Sequence, residues 1–393
     1  MSDRLAWRNW SGRLTATPLE IARPADEAEV VRVVQRAAEL GVSVRAQGAA
    51  HSHAPLVAHD GIVLDTEALA GLVRTDRDAR EVTVRAGTRI SDLGEPLRAA
   101  GLALHNQGDI DRQAIAGAVA TGTHGTGIAL RNLSTSVLGA RIALANGEVV
   151  DCDAGRESEL FEVARLSLGA VGIATELRLS VRDAYKLEER MWLEPLDAVL
   201  DRVDALAEAT RHFEFFWMPG ATRAACKSLE ETDADPVYPL ADEGSRLAWS
   251  YEVLANERND LHSEMEYSLP AASGPACFRA LRDHIARDFP DLRWPLEYRR
   301  VAADDLWISS ASGRDTVTIS VHQGVDAPDG PIFRACEEIF RAYDGRPHWG
   351  KVHERSGAEL AALYPRWRDW WRVRDRFDPE GRFLSPYLES LRP

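Results

Sequence analysis

Apolar positions near the N-terminus follow a helical period. They include Val30, Val33, Val34 and Ala37, which are spaced so that they share one face of a helix. Asp26 can cap the start of this helix, Glu29 stands at the capping-box spacing, and Gly41 suits the turn that ends it. The pattern therefore predicts a helix over residues 26–40 with one face turned to a core.

Further short elements are predicted up to about residue 182. Alternating or apolar runs predict strands at 42–46, 61–65, 81–85 and 174–181, and helical spacing predicts helices at 90–100 and 159–166. Asn146 and Gly147 separate two apolar runs, which predicts a hairpin. Because no G-x-G-x-x-G motif opens a helix after a strand, we reject a nicotinamide-binding Rossmann domain.

The pattern changes after residue 182. Strands are predicted at 212–218, 222–230, 264–269, 296–303 and 316–323, and amphipathic helices at 196–210, 275–287 and 331–342. This order is typical of an antiparallel sheet with helices on one face. Since 393 residues are many for a single core, we predict an α+β protein of two domains, residues 1–182 and 183–363.

A glycine-rich segment, HNQGDIDRQAIAGAVATGTHGTG at residues 105–127, interrupts the first half. Glycines let backbone amides approach a large ligand closely, and five occur here: Gly108, Gly117, Gly122, Gly125 and Gly127. Small apolar residues lie between them, and these suit a buried backbone better than a flexible surface loop. The segment therefore predicts a buried ligand-binding turn.

Charge and hydropathy exclude several classes of partner. The formal net charge of −15 disfavours nucleic acid and anionic membranes. No apolar run approaches the ~18 residues needed to span a bilayer, and the N-terminal segment lacks the apolar centre of a secretory signal. We therefore expect a cytoplasmic protein without a membrane partner.

Cysteine and lysine are both scarce. The cysteines are Cys152, Cys226, Cys277 and Cys336, and their scattered positions predict reduced, structural thiols instead of a metal site. The only lysines are Lys186, Lys227 and Lys351. A lysine within a motif is therefore notable in this chain.

Four segments together resemble the FAD-linked sugar oxidases of the vanillyl-alcohol oxidase superfamily, aldonolactone oxidase type, with alditol oxidases as close relatives. They are the glycine-rich segment, RAQGAAHSHAP at 45–55, PLEYRRVAADDLWIS at 295–309 and RPHWGKVH at 346–353. One such match is weak, but four in the family's order are specific. The resemblance implies an N-terminal FAD-binding domain, an antiparallel-sheet substrate cap, and a tail, about 364–393, that returns to the FAD domain.

The resemblance also assigns FAD contacts to three loops and to the RPHWGKVH string. The residues are Gln47, Gly48, Ala49, Ala50, His51, Ser52, Gly108, Gly117, Thr121, Gly122, Thr123, His124, Gly125, Gly169, Gly172, Ile173, His348 and Lys351. Relatives commonly carry, where His51 stands, a histidine bonded to the flavin's 8α-methyl group, so we expect covalent FAD. An imidazole can attack that electron-poor carbon, and the bond raises the flavin's potential.

Two other interpretations of His51 stay open. One is a loop histidine that is not bonded to the cofactor. The other is a zinc site with His53 and His59, which we favour less because no cysteine or acidic ligand stands at suitable spacing. We expect no metal site.

Four polar residues occupy two neighbouring predicted strands of the cap. Glu297 and Arg299 are two apart and share a face, as do Ser320 and His322. If the strands pair, this face suits a polyol, although an exposed face with a surface ion pair fits the pattern equally well. In relatives an E-x-R pair beside the flavin positions the substrate, and the resemblance assigns this catalytic and substrate-binding role to Glu297 and Arg299.

The lysine of RPHWGKVH is placed by the same resemblance at the catalytic centre. A cation near the flavin's N1 and C2 carbonyl stabilises the anionic reduced ring, which suits Lys351. The base that takes the substrate's hydroxyl proton is one of His322, Lys351 and Glu297, and the sequence leaves this choice open.

The implied reaction removes hydride from a carbinol carbon of an aldonolactone and reduces O₂ to H₂O₂. Gly117 favours oxygen as acceptor, because a small residue near the flavin's C4a edge leaves oxygen a path in this family. The alternatives are an alditol oxidase, an oxygen-insensitive dehydrogenase, or a flavin-binding protein without turnover. Ala118 disfavours the alditol oxidase, because in alditol oxidases a serine at this position contacts the substrate. The expected partners are a sugar lactone or polyol and O₂, with no obligate protein partner.

Overall fold

A computed structural model describes residues 6–393. Its strands are β1 Trp7–Arg8, β2 Thr15–Ala16, β3 Glu20–Ala22, β4 Val44–Gln47, β5 Ile62–Asp65, β6 Leu72–Asp76, β7 Glu81–Arg85, β8 Leu102–Ala103, β9 Val137–Ala143, β10 Val149–Asp153, β11 Ile173–Ser180, β12 Arg182–Asp183, β13 Lys186–Pro195, β14 His212–Trp217, β15 Arg223–Thr232, β16 Leu247–Trp249, β17 His262–Pro270, β18 Leu296–Val301, β19 Thr316–Gly324 and β20 Arg346–Pro347.

Helices cover the sheets and connect them. They are α1 Glu27–Leu40, α2 Ser91–Ala99, α3 Ile115–Thr121, α4 Ser158–Ala164, α5 Leu196–Glu208, α6 Ser250–Leu254, α7 Gly274–Asp288, α8 Gly330–Ala342, α9 Gly357–Leu363, α10 Trp367–Phe377 and α11 Pro386–Ser390. Within residues 6–393, none of them has both the length and the apolar composition needed to cross a membrane.

The first part of the chain builds a parallel sheet and an antiparallel one. The parallel sheet has the order β3-β5-β4, and the antiparallel sheet has the order β10-β9-β11-β7-β6. Helix α1 packs its apolar face on both. Its predicted caps are confirmed, since Asp26 accepts a hydrogen bond from the amide of Glu29 and Gly41 has φ 65°. The predicted hairpin at Asn146 and Gly147 is also confirmed, between β9 and β10.

The second part builds a larger antiparallel sheet, with the order β16-β13-β15-β14-β18-β19-β17-β20. Helices α5, α7 and α8 pack on one face of it, which confirms the predicted α+β architecture. Strand β13 was not predicted. It is ten residues long and pairs along its whole length with β15, but its charged residues hide the alternation that marks a strand.

The C-terminal tail packs against the first part of the chain. Trp349 stacks on Trp367 at 5.4 Å, and Trp367 stacks on Trp370 at 5.8 Å. The Trp370 indole donates to the Leu166 carbonyl, which anchors α10 beside α4. Trp349 itself lies in the stretch assigned to the cap, so this aromatic stack joins the two predicted domains. The boundaries 1–182 and 183–363 stay a prediction.

The four cysteines, all within the described residues, are buried and free. Burial raises the pKa of the Cys152, Cys226 and Cys336 thiols to about 12. Protonated thiols of this kind behave as small apolar residues, in line with the predicted structural role.

Candidate active site

Two loops and a short helix enclose a cavity in the first part of the chain, which we call the loop cavity. Its lining includes Trp7, Arg45, Gln47, Gly48, Ala49, Ala50, His51, Ser52, Gln113, Ala116, Gly117, Ala118, Thr121, Gly169 and Gly172. Ten of these are predicted FAD contacts, at 47–52, 117, 121, 169 and 172. None of the described residues that line the cavity is acidic.

Small residues allow the walls of this cavity to approach each other. A Cβ added to Gly48 would lie 2.4 Å from the Cβ of Ala114, whereas one added to Gly117 would meet no protein atom within 4 Å. Residues 115–121, predicted as part of a turn, form α3 instead. Ile115, Ala118 and Val119 are buried at helical spacing, and an internal glycine costs such a helix only ~1 kcal/mol.

A second cavity, the cap cavity, lies against the face of the large sheet opposite its helices. Its volume is about 430 Å³, within the range of small-molecule sites. Its lining includes Gly108, Asp109, Gln113, Thr123, His124, Met191, Phe216, His262, Glu264, Glu266, Trp294, Glu297, Arg299, His322, His348 and Lys351. Gln113 lines both cavities, so the two adjoin.

The predicted FAD contacts are therefore divided between the cavities. Five of them, at 108, 123, 124, 348 and 351, line the cap cavity. Gly122, Gly125 and Ile173 line neither cavity. Gly122 ends α3 at φ 74°, Gly125 packs against Gln107, where a Cβ would lie 2.3 Å from the carbonyl oxygen, and Ile173 is buried in the core. These three residues have structural contacts within the protein.

Glu297 and Arg299 form a buried ion pair in the cap cavity. Glu297 is only 3% exposed, so the alternative of a solvated surface face is wrong. Burial raises the pKa of the Glu297 carboxyl. Burial alone would lower the pKa of Arg299, but the Glu297 and Asp109 carboxylates outweigh it and raise that pKa well above its ordinary value.

The partner of Lys351 is Glu264 on β17, which sequence reasoning missed. The signal was present, because the run HSEMEYSLP places Glu264 and Glu266 two apart on one face of a predicted strand. Glu264 lies directly opposite His322 in the β17–β19 register. Burial alone would raise the Glu264 pKa, but the Lys351 ammonium together with the smaller effects of His322, His262 and His53 outweighs it and holds that pKa well below its ordinary value.

His322 is held in one tautomer. Its Nδ1 lies 2.8 Å from the Pro295 carbonyl oxygen, which can only accept, so Nδ1 carries the proton. Nε2 is then an acceptor, 3.6 Å from a Glu264 oxygen. Burial lowers the pKa of His322 to about 4, so the ring is neutral at pH 7. The site therefore offers a neutral imidazole nitrogen beside a carboxylate that would stabilise its protonated form.

Ser320 does not line the cap cavity, in contrast to its predicted substrate-binding position. Its hydroxyl donates to Glu266 Oε2 at 2.9 Å. The other oxygen of Glu266 lies 2.7 Å from Nε2 of His124. Ser320 thus fixes Glu266, which links the large sheet to the glycine-rich segment.

His51 lies in the loop cavity, with its ring 5.1 Å from that of Trp10 and nearly parallel to it. Burial, followed by the Lys351 charge, lowers the pKa of His51 to about 4, which leaves a neutral, nucleophilic imidazole. The adjoining His53 amide donates to the Gly350 carbonyl at 2.7 Å. This bond joins the His51 loop to the segment that carries Lys351.

Three sets of possible metal ligands occur among the described residues: His53 with His262 and Glu264, His124 with Glu266 and His348, and Asp109 with Glu214 and Glu297. His51 and His59 belong to none of them, so the structure does not support the zinc site considered for His51, His53 and His59. In the first set the Lys351 ammonium already pairs with Glu264, and in the third Arg299 already pairs with Glu297.

Comparisons with known proteins identify the family of the chain. The family model for D-arabinono-1,4-lactone oxidase matches residues 177–246 and 237–391, and an FAD binding domain model matches residues 18–153. The L-gulono-1,4-lactone dehydrogenase of Mycobacterium tuberculosis is 34% identical over 98% of both chains. The alditol oxidase of a Streptomyces species is 31% identical, also over 98% of both.

The fold has solved counterparts. Cholesterol oxidase from B. sterolicum superimposes with a TM-score of 0.88 over 99% of this chain and 97% of its own, at 16% identity. The predicted family and fold are therefore confirmed, and the chain belongs to the D-arabinono-1,4-lactone oxidase family of FAD-dependent oxidoreductases.

Proposed function

We propose that the protein is an oxidase that removes hydride from a carbinol carbon of an aldonolactone and reduces O₂ to H₂O₂. The observation that carries this proposal is the composition of the cap cavity. Two ion pairs, Glu297 with Arg299 and Glu264 with Lys351, face it together with the neutral His322, and in each pair the carboxylate is buried and the cation partly buried. Bound FAD supplies the hydride acceptor.

The residues of the loop cavity fit FAD. Its walls are mostly small residues, which let a large ligand approach the backbone closely, and no acidic side chain among them would repel a pyrophosphate. We propose that the 47–52 loop, Gly117, Thr121, Gly169 and Gly172 hold the cofactor there. Five further predicted contacts, at 108, 123, 124, 348 and 351, line the adjoining cap cavity, where bound FAD would supply the hydride acceptor for the substrate.

The proton of the substrate's hydroxyl goes to His322 in this proposal. Its Nε2 is unprotonated at neutral pH, and the neighbouring Glu264 carboxylate stabilises the imidazolium that forms. Glu297 is paired with Arg299, and Lys351 is paired with Glu264, so neither is as free to accept a proton. Arg299 fixes the substrate's oxygens.

We also propose that the reaction takes place in the cytoplasm.

A panel of substrates tests this function. Aldonolactones, alditols and aldoses are incubated with the FAD-loaded enzyme, and peroxide is measured beside reduction of an artificial dye. We expect both signals to be strongest with aldonolactones. Stronger signals with alditols would favour the alditol oxidase. Dye reduction without peroxide would favour a dehydrogenase, as the M. tuberculosis relative is named. If no substrate gave peroxide or reduced the dye, the protein would be a flavin-binding protein without turnover.

Enlarging Gly117 should slow the reaction with oxygen. The Gly117→Ala methyl group meets no protein atom and would occupy the loop cavity, so we expect normal folding and at least a several-fold slower reoxidation by air. Reoxidation of substrate-reduced enzyme and dye reduction are measured by stopped flow. The control is Gly155→Ala in an exposed turn, where the nearest atom to an added Cβ is 3.5 Å away. If Gly117→Ala slowed dye reduction as much as reoxidation by air, the idea that Gly117 leaves a path for oxygen would be refuted.

His51 should carry the flavin covalently. We expect acid-precipitated wild-type protein to stay yellow, because the neutral His51 imidazole can bond to the flavin's methyl carbon. His51→Ala should release nearly all of its flavin into the supernatant, whereas His53→Ala, two residues away, should retain it. Absorbance of the washed pellet gives the answer. A colourless wild-type pellet would exclude the covalent bond.

A further inference from the structure

Two buried carboxylates and a partly buried one lie together behind the Glu297–Arg299 pair. Asp109, Glu214 and Glu297 bring carboxylate oxygens within 4.8 Å of one another. Two cations face them. The Lys227 ammonium lies 3.3 Å from Glu214 Oε1, and Nε of Arg299 lies 3.8 Å from Glu214 Oε2. Glu214 therefore sits between a lysine on one side and the substrate-facing pair on the other.

Neighbouring charges do not balance this cluster. Glu189 accepts from Arg246 at 2.7 Å, and Glu243 accepts from Arg258 at 3.2 Å. Asp109, Glu189, Glu214, Glu243 and Glu297 thus make five carboxylates, against the four cations Lys227, Arg246, Arg258 and Arg299. On the far side of Glu297, Glu264 pairs with Lys351, and Glu266 is hydrogen-bonded to Ser320 and to the His124 ring. The five carboxylates of the cluster therefore exceed its four cations by one negative charge.

Two oxygens of the cluster lack hydrogen bonds. Oε2 of Glu214 and Oε1 of Glu297 are buried, and neither has a partner among the described residues. Carboxylates that share one site cannot all ionise, and a proton held between two of them gives both oxygens a hydrogen bond. Burial, followed by the Asp109 charge, raises the pKa of Glu214 to about 7.

We propose that Glu214 and Glu297 share one proton, and that Glu214 is a positioning residue that holds the Glu297–Arg299 pair in place for substrate. This inference rests on the proposed function, in which that pair binds the substrate. A protonated Glu214 donates to Glu297 and leaves the other Glu297 oxygen to Arg299. An ionised Glu214 repels Glu297 and competes for Arg299, whose Nε is already 3.8 Å away.

The pH dependence of kcat/KM tests this role. In the wild type, kcat/KM should fall about tenfold per pH unit once the pH exceeds the value at which the shared proton is lost. Glu214→Gln keeps a donor at every pH, so its alkaline decline should vanish while activity at low pH stays within a few-fold of wild type. Lys227→Met removes a charge that favours the ionised carboxylate, so the decline should move to higher pH.

A matched control is Glu337→Gln, a buried glutamate on α8 bonded to the Tyr267 hydroxyl, which should keep the wild-type decline. The same decline in Glu214→Gln as in the wild type would overturn the proposal.

A second measurement is independent of turnover. The infrared difference spectrum of the FAD-loaded enzyme between about pH 6 and about pH 9 should show loss of a protonated carboxylic acid. Because burial also raises the pKa of Asp304 to about 6, that band should be reduced, not abolished, in Glu214→Gln and unchanged in Glu337→Gln. Its absence from the wild type would overturn the shared proton. If the band is present and no lactone is oxidised, the proposed function fails while the shared proton stands.

Discussion

Replacing Lys351 with methionine should slow reduction of the bound FAD by substrate about 100- to 1,000-fold, the usual cost, ~2.7–4 kcal/mol, of removing one preorganised charge-stabilising donor. The ammonium acts on charge that develops during hydride transfer, so most of the loss should fall on the rate and little on substrate affinity. Stopped-flow reduction at several substrate concentrations, without oxygen, separates the two. We expect the variant to fold, because Glu264 can take up a proton once its partner is gone.

Lys186→Met is the matched control. Lys186 lies on β13 and donates to the Asp233 carbonyl at 2.8 Å, and it lines neither cavity. Its removal should leave the reduction rate unchanged. A Lys351 variant that reduces as fast as Lys186→Met would place Lys351 outside the active site.

Replacing His322 with glutamine should lower kcat by about 100- to 10,000-fold, the range expected for loss of a general base. Glutamine can form hydrogen bonds from this position but cannot take up the proton. Because the His322 pKa lies near 4, the wild-type ring is neutral and competent at higher pH. kcat/KM should therefore fall as pH drops through about 4, and this acid limb should be missing in His322→Gln.

A remote histidine controls for this substitution. His284 lies on α7 and contacts Asp288 at 3.0 Å, so His284→Gln should keep both the rate and the acid limb. If His322→Gln turns over at the wild-type rate, Glu297 or Lys351 is the base instead. Comparison of Glu297→Gln with the Lys351 variant would then separate these two.

Local sequence patterns predicted the elements that depend on neighbouring residues. The helix after Asp26 and the hairpin at Asn146 follow from capping and turn chemistry, and both are confirmed. The glycine-rich segment was predicted to be a buried turn, and most of it is buried, but its centre is helical and Gly117 is exposed to the loop cavity. A run of small apolar residues fits a tight turn and a short helix equally well, and packing against the core decides between them.

The partners of the candidate catalytic residues depend on strand register, which a single sequence does not encode. Alternation shows that Glu264 and His322 can each lie on the polar face of a strand. That the two are directly opposite follows only from the pairing of β17 with β19, strands far apart in the chain. The same limit hid the contact of Lys227 with Glu214, since Lys227 lies outside every motif of the sequence.

The stack of Trp349 on Trp367 and Trp370 bears on how the enzyme is made. The two loops that enclose the loop cavity emerge from the ribosome well before α10. The indole two residues from Lys351 therefore meets Trp367 only after α10 has been synthesised. A nascent chain that stops before α10 has the loops of the loop cavity and Lys351 itself, but it lacks the Trp367 ring that lies parallel to Trp349. Assembly of the candidate active site is thereby tied to the synthesis of α10.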